Sequence, residues 1–158
     1  MNKPALLAQI IARLQAELTT LTNAALDTHA EATHEENKAE DKYDTRGLEA
    51  SYLAMGQSKA ADEAAQAVAQ FTALTLRDFA PGEPVSLGAF IVLEDQTRNY
   101  YFIGPRAGGT EIEHEGRTVM VITPQSPLGR QLMGRQQGDV LMTNLGGKSS
   151  QQQVTLVS

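Results

Sequence analysis

Ala80-Pro81-Gly82-Glu83-Pro84 divides the chain into two stretches of different composition. Residues 1–78 contain only Pro4, Gly47 and Gly56 as backbone breakers; residues 79–158 contain five Pro and eleven Gly among β-branched runs. Two prolines flanking a glycine remove backbone donors and favour a turn, so no regular element continues through them. The sequence therefore predicts an α+β fold: a long antiparallel helical hairpin, or coiled-coil finger, over residues 1–78, a linker over 79–84, and a small β-rich domain with one short helix over 85–158.

N-terminal to the break, Leu7, Ile10, Ile11, Leu14, Leu18, Leu21 and Ala25 recur every three or four residues and predict a helix from about Pro4 to residue 33. A second stripe, Leu48, Tyr52, Met55, Ala60, Ala64, Ala67, Phe71 and Leu74, predicts another over about 43–76, its small alanine face permitting close approach. If the two fold back on each other, Leu7 faces Phe71, Leu14 faces Ala64 and Leu26 faces Tyr52, which puts the reversal near residue 39. Arms of roughly 30 residues would make a rod about 45 Å long.

C-terminal to the break, strands are expected at Val85–Leu93, Tyr100–Ile103, Thr118–Thr123, Val140–Thr143 and Val154–Val157. Ser126-Pro127-Leu128 starts a short helix: Ser126 caps it, Pro127 suits its first turn and Gly134 ends it, with Leu128, Leu132 and Met133 toward the sheet.

Composition narrows the function classes. The 158 residues carry a formal charge of −6, and aromatic residues are only 5% of the chain, with no Trp. Residues 1–78 hold twelve acidic against seven basic side chains. That balance disfavours coating a polyanion, so direct DNA binding is not expected. The absence of Cys removes disulfides, thiolate catalysis and thiolate-ligated zinc. The apolar run Ala5–Ala12 is broken by Gln9 and followed by Arg13, and no run reaches 18 apolar residues; neither a signal peptide nor a membrane span is expected, and a cytoplasmic location is.

Three chemical leads fail on spacing. His34-Glu35-Glu36-Asn37-Lys38 begins like His-Glu-x-x-His but has Lys38 in the second ligand position. Gly147-Lys148-Ser149 ends like a phosphate-binding loop, yet Met142 stands where its first Gly belongs; Asn144-Leu145-Gly146-Gly147 reads instead as a strand-to-strand turn. His29, His34 and His114 are far apart in sequence and are expected to be solvated. The remaining lead is the acidic stretch from Asp27 to Asp44. On an ordinary helix it would be a solvated face, but the pairing puts Glu36, Glu40 and Asp41 where the finger reverses. Carboxylates there are badly placed to serve a core and well placed to offer oxygen ligands to a hard cation such as Mg²⁺.

Ile122-Thr-Pro-Gln-Ser-Pro-Leu-Gly-Arg-Gln-Leu-Met-Gly-Arg-Gln-Gln-Gly-Asp-Val140 closely resembles the C-terminal domain of the bacterial transcript-cleavage factors of the GreA/GreB family. That pattern is Ser-Pro, an apolar pair before Gly, a basic residue and Gly-Asp, and Ser126, Pro127, Leu132, Gly134, Arg135, Gly138 and Asp139 match it. Val85–Leu93 resembles the first strand of the same domain and Gly146-Gly147-Lys148 its last turn.

The resemblance implies a globular domain of FKBP-like fold that docks at the rim of the RNA polymerase secondary channel, and a finger that enters the channel. Ser126, Pro127, Arg130 and Arg135 would then contact the partner, the arginines meeting an acidic surface. In the family, acidic tip residues in the pattern Asp-x-x-Glu-Asn-Ala-Glu-Tyr help hold a second Mg²⁺ during cleavage of backtracked RNA. Aligned on Tyr43, Glu36 here takes the Asp position and Ala39 that of the essential Glu; aligned on Glu36-Asn37, the Asp position becomes Thr33. Glu36, Glu40 and Asp41 are the carboxylates that could substitute as catalytic and metal-holding groups. The chain would carry no cofactor of its own and at most share Mg²⁺ with polymerase. Cleavage stimulation and regulation by occupancy alone both remain open, as does an FKBP-like peptide-binding or isomerase module. A monomer is expected, against the alternative that the finger dimerises the protein.

Overall fold

A computed structural model describes residues 1–33, 46–145 and 148–158. In chain order the elements are α1 (Lys3–Thr33), α2 (Arg46–Thr72), β1 (Phe90–Glu94), β2 (Arg98–Ile103), β3 (Glu111–His114), β4 (Arg117–Ile122), α3 (Pro127–Leu132), β5 (Val140–Leu145) and β6 (Lys148–Val157). Long helices followed by a small sheet with one short helix are the α+β arrangement expected from the sequence. The chain forms two compact units, one of Met1–Ile10 with Gln70–Ser158 and the other of Ile11–Ala69.

The unit of Ile11–Ala69 is the body of the helical pair. Its buried residues are small along much of its length: Ala25, Thr28, Ala54 and Ala67 join Leu14. The Thr28 hydroxyl is satisfied by donating to the Ala24 carbonyl of its own helix. The expected pairing of Leu26 with Tyr52 does not occur: both side chains are nearly two-thirds exposed, and Leu48, Leu53 and Met55 also face outward. The buried positions here are mostly small, Ala25 and Ala54 among them, while the large neighbours Leu26 and Tyr52 face outward. Between α1 and α2, Leu18, Thr22 and Ala25 on one side and Ser58, Ala61 and Ala65 on the other line a shallow groove.

The other unit is built on a six-stranded sheet of order β3-β4-β2-β1-β6-β5. Among the described strands β2 and β4 alone run parallel, with Tyr100 opposite Val119 and Ile103 opposite Ile122. β1 pairs antiparallel with β2 and with β6, and the register slips between Val92 and Leu93 on the β6 side. That bulge turns Val154 and Val157, three residues apart, into one core with Ile91, Leu93, Tyr101, Ile103, Ile122, Leu132 and Leu141. Phe90, Phe102, Val119 and Val121 alternate onto the opposite face and are equally buried. Phe71, from the end of α2, covers that face: a Cβ built on Gly104 would lie 2.5 Å from the Phe71 ring and 2.8 Å from Val121.

The start of α1 is fastened to the same unit. Asn2 caps the helix by accepting from the Ala5 N–H, and its own backbone N–H donates to Glu115. The side chain of Gln9 meets His114 Nδ1 at 2.6 Å. His114 is 5% exposed, so the expectation of a solvated imidazole is corrected: β3 places it beneath the first turns of α1. Lys3 donates to the Arg77 carbonyl, and the Lys3 and Arg77 cations both lie over the Phe79 ring. Burial pulls the Lys3 amine below its usual range, and the negative charge of Asp78 partly offsets that.

α2 ends at Thr72 rather than near residue 76, because the chain must leave the helix to carry Phe79 into the core. Val85–Leu93 is likewise not one strand. Gly88 at φ 83° turns the backbone, and pairing begins at Phe90. β3, Glu-Ile-Glu-His, was not anticipated, since its alternation includes only one aliphatic residue.

The Gly104 contact yields a stability prediction. Gly104→Ala should cost about 1–3 kcal/mol by overpacking, and should cost less in a Phe71→Leu background. Urea unfolding of the four proteins in that cycle checks it; additive losses would mean that the two positions do not press on each other.

Candidate functional site

The segment from Thr123 to Asp139 is shaped by its own short-range chemistry. Ser126 sits in extended conformation; its hydroxyl donates to the Thr123 carbonyl at 2.8 Å and accepts from the Gly129 N–H at 3.0 Å. Pro127 occupies the first helical turn, where a missing N–H costs nothing. Gly129 leaves no room for a side chain, since a Cβ there would meet the Thr123 carbonyl oxygen at 1.8 Å. Leu132 is fully buried against the sheet and Leu128 packs at the edge of the core. Met133, expected to face the sheet, is 36% exposed, because the backbone leaves the helix at that residue. Gly134 then takes φ 79°, and its N–H donates to the Val85 carbonyl while Val85 donates to Arg135. Gly138, at φ 99°, donates to Val154, and the Asp139 carboxylate accepts from the Gln136 N–H.

Between this segment and the sheet lies a groove of about 620 Å³. Met120, Ile122, Pro127 and Leu128 form its apolar walls, Tyr101 and Thr143 contribute from the strands, and Gly108 and Gly109 come from the loop before β3. Gln131 and Asn144 carry the exposed amides of its lining. No described residue lining it is charged.

A polar network lies in the strands beside it. The Thr143 hydroxyl lies 3.4 Å from both the Ser150 carbonyl and the Ser150 hydroxyl, and Ser150 donates to Asp95. Asp95 also accepts from Gln152 and from the backbone and hydroxyl of Thr97. The Thr97 N–H first, then Gln152, hold the Asp95 carboxyl well below the usual range, at about 2. Burial pushes the Tyr101 hydroxyl up, reinforced by the charge of Asp95.

Of the residues singled out from the sequence, Ser126 and Pro127 line the groove. Arg130 and Arg135 are exposed on the same segment, each holding a backbone carbonyl through Nε (Gln125 at 2.8 Å and Gln131 at 3.3 Å). Glu36, Glu40, Asp41 and His34 lie outside the described residues, as do Gly146 and Gly147. Among the described residues no group of His, Asp and Glu side chains could hold a metal ion, and no helix is long and apolar enough to cross a membrane. Sequence reasoning missed the role of Tyr101, Met120 and Thr143 as groove residues. The signal was present for Tyr101 alone, because alternation separates it from Tyr100 and Phe102; Tyr100 indeed stacks with Phe90 instead, at 6.3 Å.

No family model matches the chain, and no curated protein matches it. Solved structures do. They include GreA factor homolog 1 (Gfh1) of Thermus thermophilus, 19% identical over 98% of this chain and 93% of that one, with a TM-score of 0.39. A structure of the transcription factor Gfh1 is 22% identical over 93% and 92%, with a TM-score of 0.41. Gfh1 of Thermus aquaticus is 19% identical over 92% of each chain, also at 0.41.

The Asp95 network makes stability depend on acid. Its folded pKa of about 2 lies below the ordinary 3.8, so its contribution is complete above 3.8 and is lost as pH falls through 2. Asp95→Asn should therefore unfold at lower urea than the parent at pH 7, with the gap narrowing between pH 4 and pH 2. A gap that is constant with pH would remove the carboxylate charge as its cause.

Proposed function

We propose that this chain binds RNA polymerase and regulates transcription elongation, with the β-rich domain docking at the rim of the secondary channel and the helical pair entering it. The observation that carries the reading is the Ser126–Asp139 segment. The residues that resemble the Gre pattern fold into one continuous surface element, and Pro127, Arg130 and Arg135 are exposed on it. Ser126, Gly134 and Gly138 punctuate the backbone, as their hydrogen bonds and left-handed conformations require. Pro127 and the two guanidinium groups are therefore the direct contacts, and an acidic, bidentate surface is the complement arginine suits. The protein would act in the cytoplasm as a monomer.

The tip carboxylates Glu36, Glu40 and Asp41 belong to this proposal as groups that approach the polymerase catalytic Mg²⁺. An isolated carboxylate cluster holds Mg²⁺ weakly because the ion keeps its waters, so polymerase would have to supply the remaining ligands. Regulation by occupancy alone is the second form of the same reading, favoured by Ala39, which takes the position of the family's Glu in the register aligned on Tyr43. An isomerase or peptide-binding module is less well supported, since Tyr101 is the single aromatic side chain among the described groove residues.

Two measurements test the proposal. Arg130→Ala with Arg135→Ala should weaken capture by core polymerase about tenfold or more while leaving the melting temperature nearly unchanged; unchanged capture overturns the docking role. In a backtracked elongation complex with end-labelled RNA, intact protein should release 3′ fragments and Glu36→Gln, Glu40→Gln and Asp41→Asn should reduce that release. If the intact protein releases none yet slows elongation, occupancy alone is the mechanism.

A further inference from the structure

We propose that the groove between α3 and the sheet is a binding site for an uncharged small molecule with an apolar body and a hydrogen-bond acceptor, anchored by the Tyr101 hydroxyl. Its volume of about 620 Å³ falls within the range of small-molecule sites, and its walls are Met120, Ile122, Pro127 and Leu128. With no charged side chain among the described lining, an ion entering it would lose hydration and gain nothing in return. The ligand is therefore neutral.

The polar groups determine where it is held. The Ser126 hydroxyl is used both as donor and as acceptor within the α3 cap. The Thr143 hydroxyl is engaged with Ser150 across the β5–β6 ladder. Tyr101 is different. It is 5% exposed, it lines the groove, and its hydroxyl makes no hydrogen bond to any described residue. Burial favours its protonated form, so it stays a donor through the neutral range. The hydroxyl oxygen is not among the fully buried unpaired polar atoms, so it keeps contact with solvent, and a ligand carbonyl or ether oxygen would accept from it in place of that water. A peptide is a poorer occupant, because it brings a donor and an acceptor at nearly every residue, whereas the walls are apolar and Thr123, Gln131 and Asn144 of the lining are half-buried or exposed.

The test uses the full chain without polymerase, so its outcome is independent of the proposed docking. Nile red, a neutral dye with a ring carbonyl, is titrated at pH 7 and followed by fluorescence. The expected result is one saturable site, weakened about tenfold by Tyr101→Phe and abolished by Leu128→Glu, which places a charge in the wall. Tyr52→Ser with Met55→Ser should leave it intact, separating the groove from the exposed apolar side chains of α2. The proposal is overturned if there is no saturable binding, if Tyr101→Phe binds as tightly as the parent, or if the α2 changes abolish binding. It also fails if the anionic dye 8-anilinonaphthalene-1-sulfonate competes for the same site with equal affinity. Should Leu128→Glu not fold, as judged by its thermal melt, the Tyr101→Phe comparison decides.

Discussion

Strand β1 must be covered on both faces. Phe90, Ile91 and Leu93 are fully buried and Val92 nearly so, and each such side chain contributes roughly 1.5–3 kcal/mol only if water is excluded from its own side of the sheet. α3 and the strand core cover one face. The other has no helix of its own within the β-rich stretch, and Phe71 at the end of α2 covers part of it, with Leu6 and Ile10 of α1 fully buried in the same unit. The first turns of α1 and the last residue pairs of α2 are thus structural parts of the sheet unit. The Asn2–Glu115, Gln9–His114 and Lys3–Arg77 contacts follow from that placement.

Much of this was legible because the relevant signals are local. The break at Pro81-Gly82, the Ser126 cap, Pro127 and the left-handed Gly134 are decided within a few residues, and the helix periodicity of Leu14 through Ala25 spans several turns. What failed was decided by tertiary packing. The sequence pairs Tyr52 with Leu26 because large apolar residues are usually inside, but in the folded chain the small residues Ala25 and Ala54 are buried and these two are not. His114 was read as solvated because nothing near it in sequence announces that Gln9 will lie against it. β3 is hard to read from sequence because a strand that pairs with β4 alone turns only Ile112 and the polar His114 inward. Glu36, Glu40 and Asp41 lie outside the described residues.

The groove illustrates how one constraint serves two ends. Gly129 is required because α3 sits directly on the Thr123 carbonyl, and the same close approach leaves Pro127 and Leu128 standing as a wall opposite Met120 and Ile122. The Asp95 network fixes Ser150 and through it Thr143, so an exposed turn between β1 and β2 governs the position of a residue in the groove.

The sheet ends on two unequal margins. β3 carries Glu111 and Glu113 outward, charges that repel a similar strand approaching side by side. β5 has no such guard: Val140 and Met142 are exposed along it, and it pairs only with β6. Edge-to-edge aggregation of this protein would therefore begin at β5, and a lysine at Met142 is the substitution best placed to prevent it.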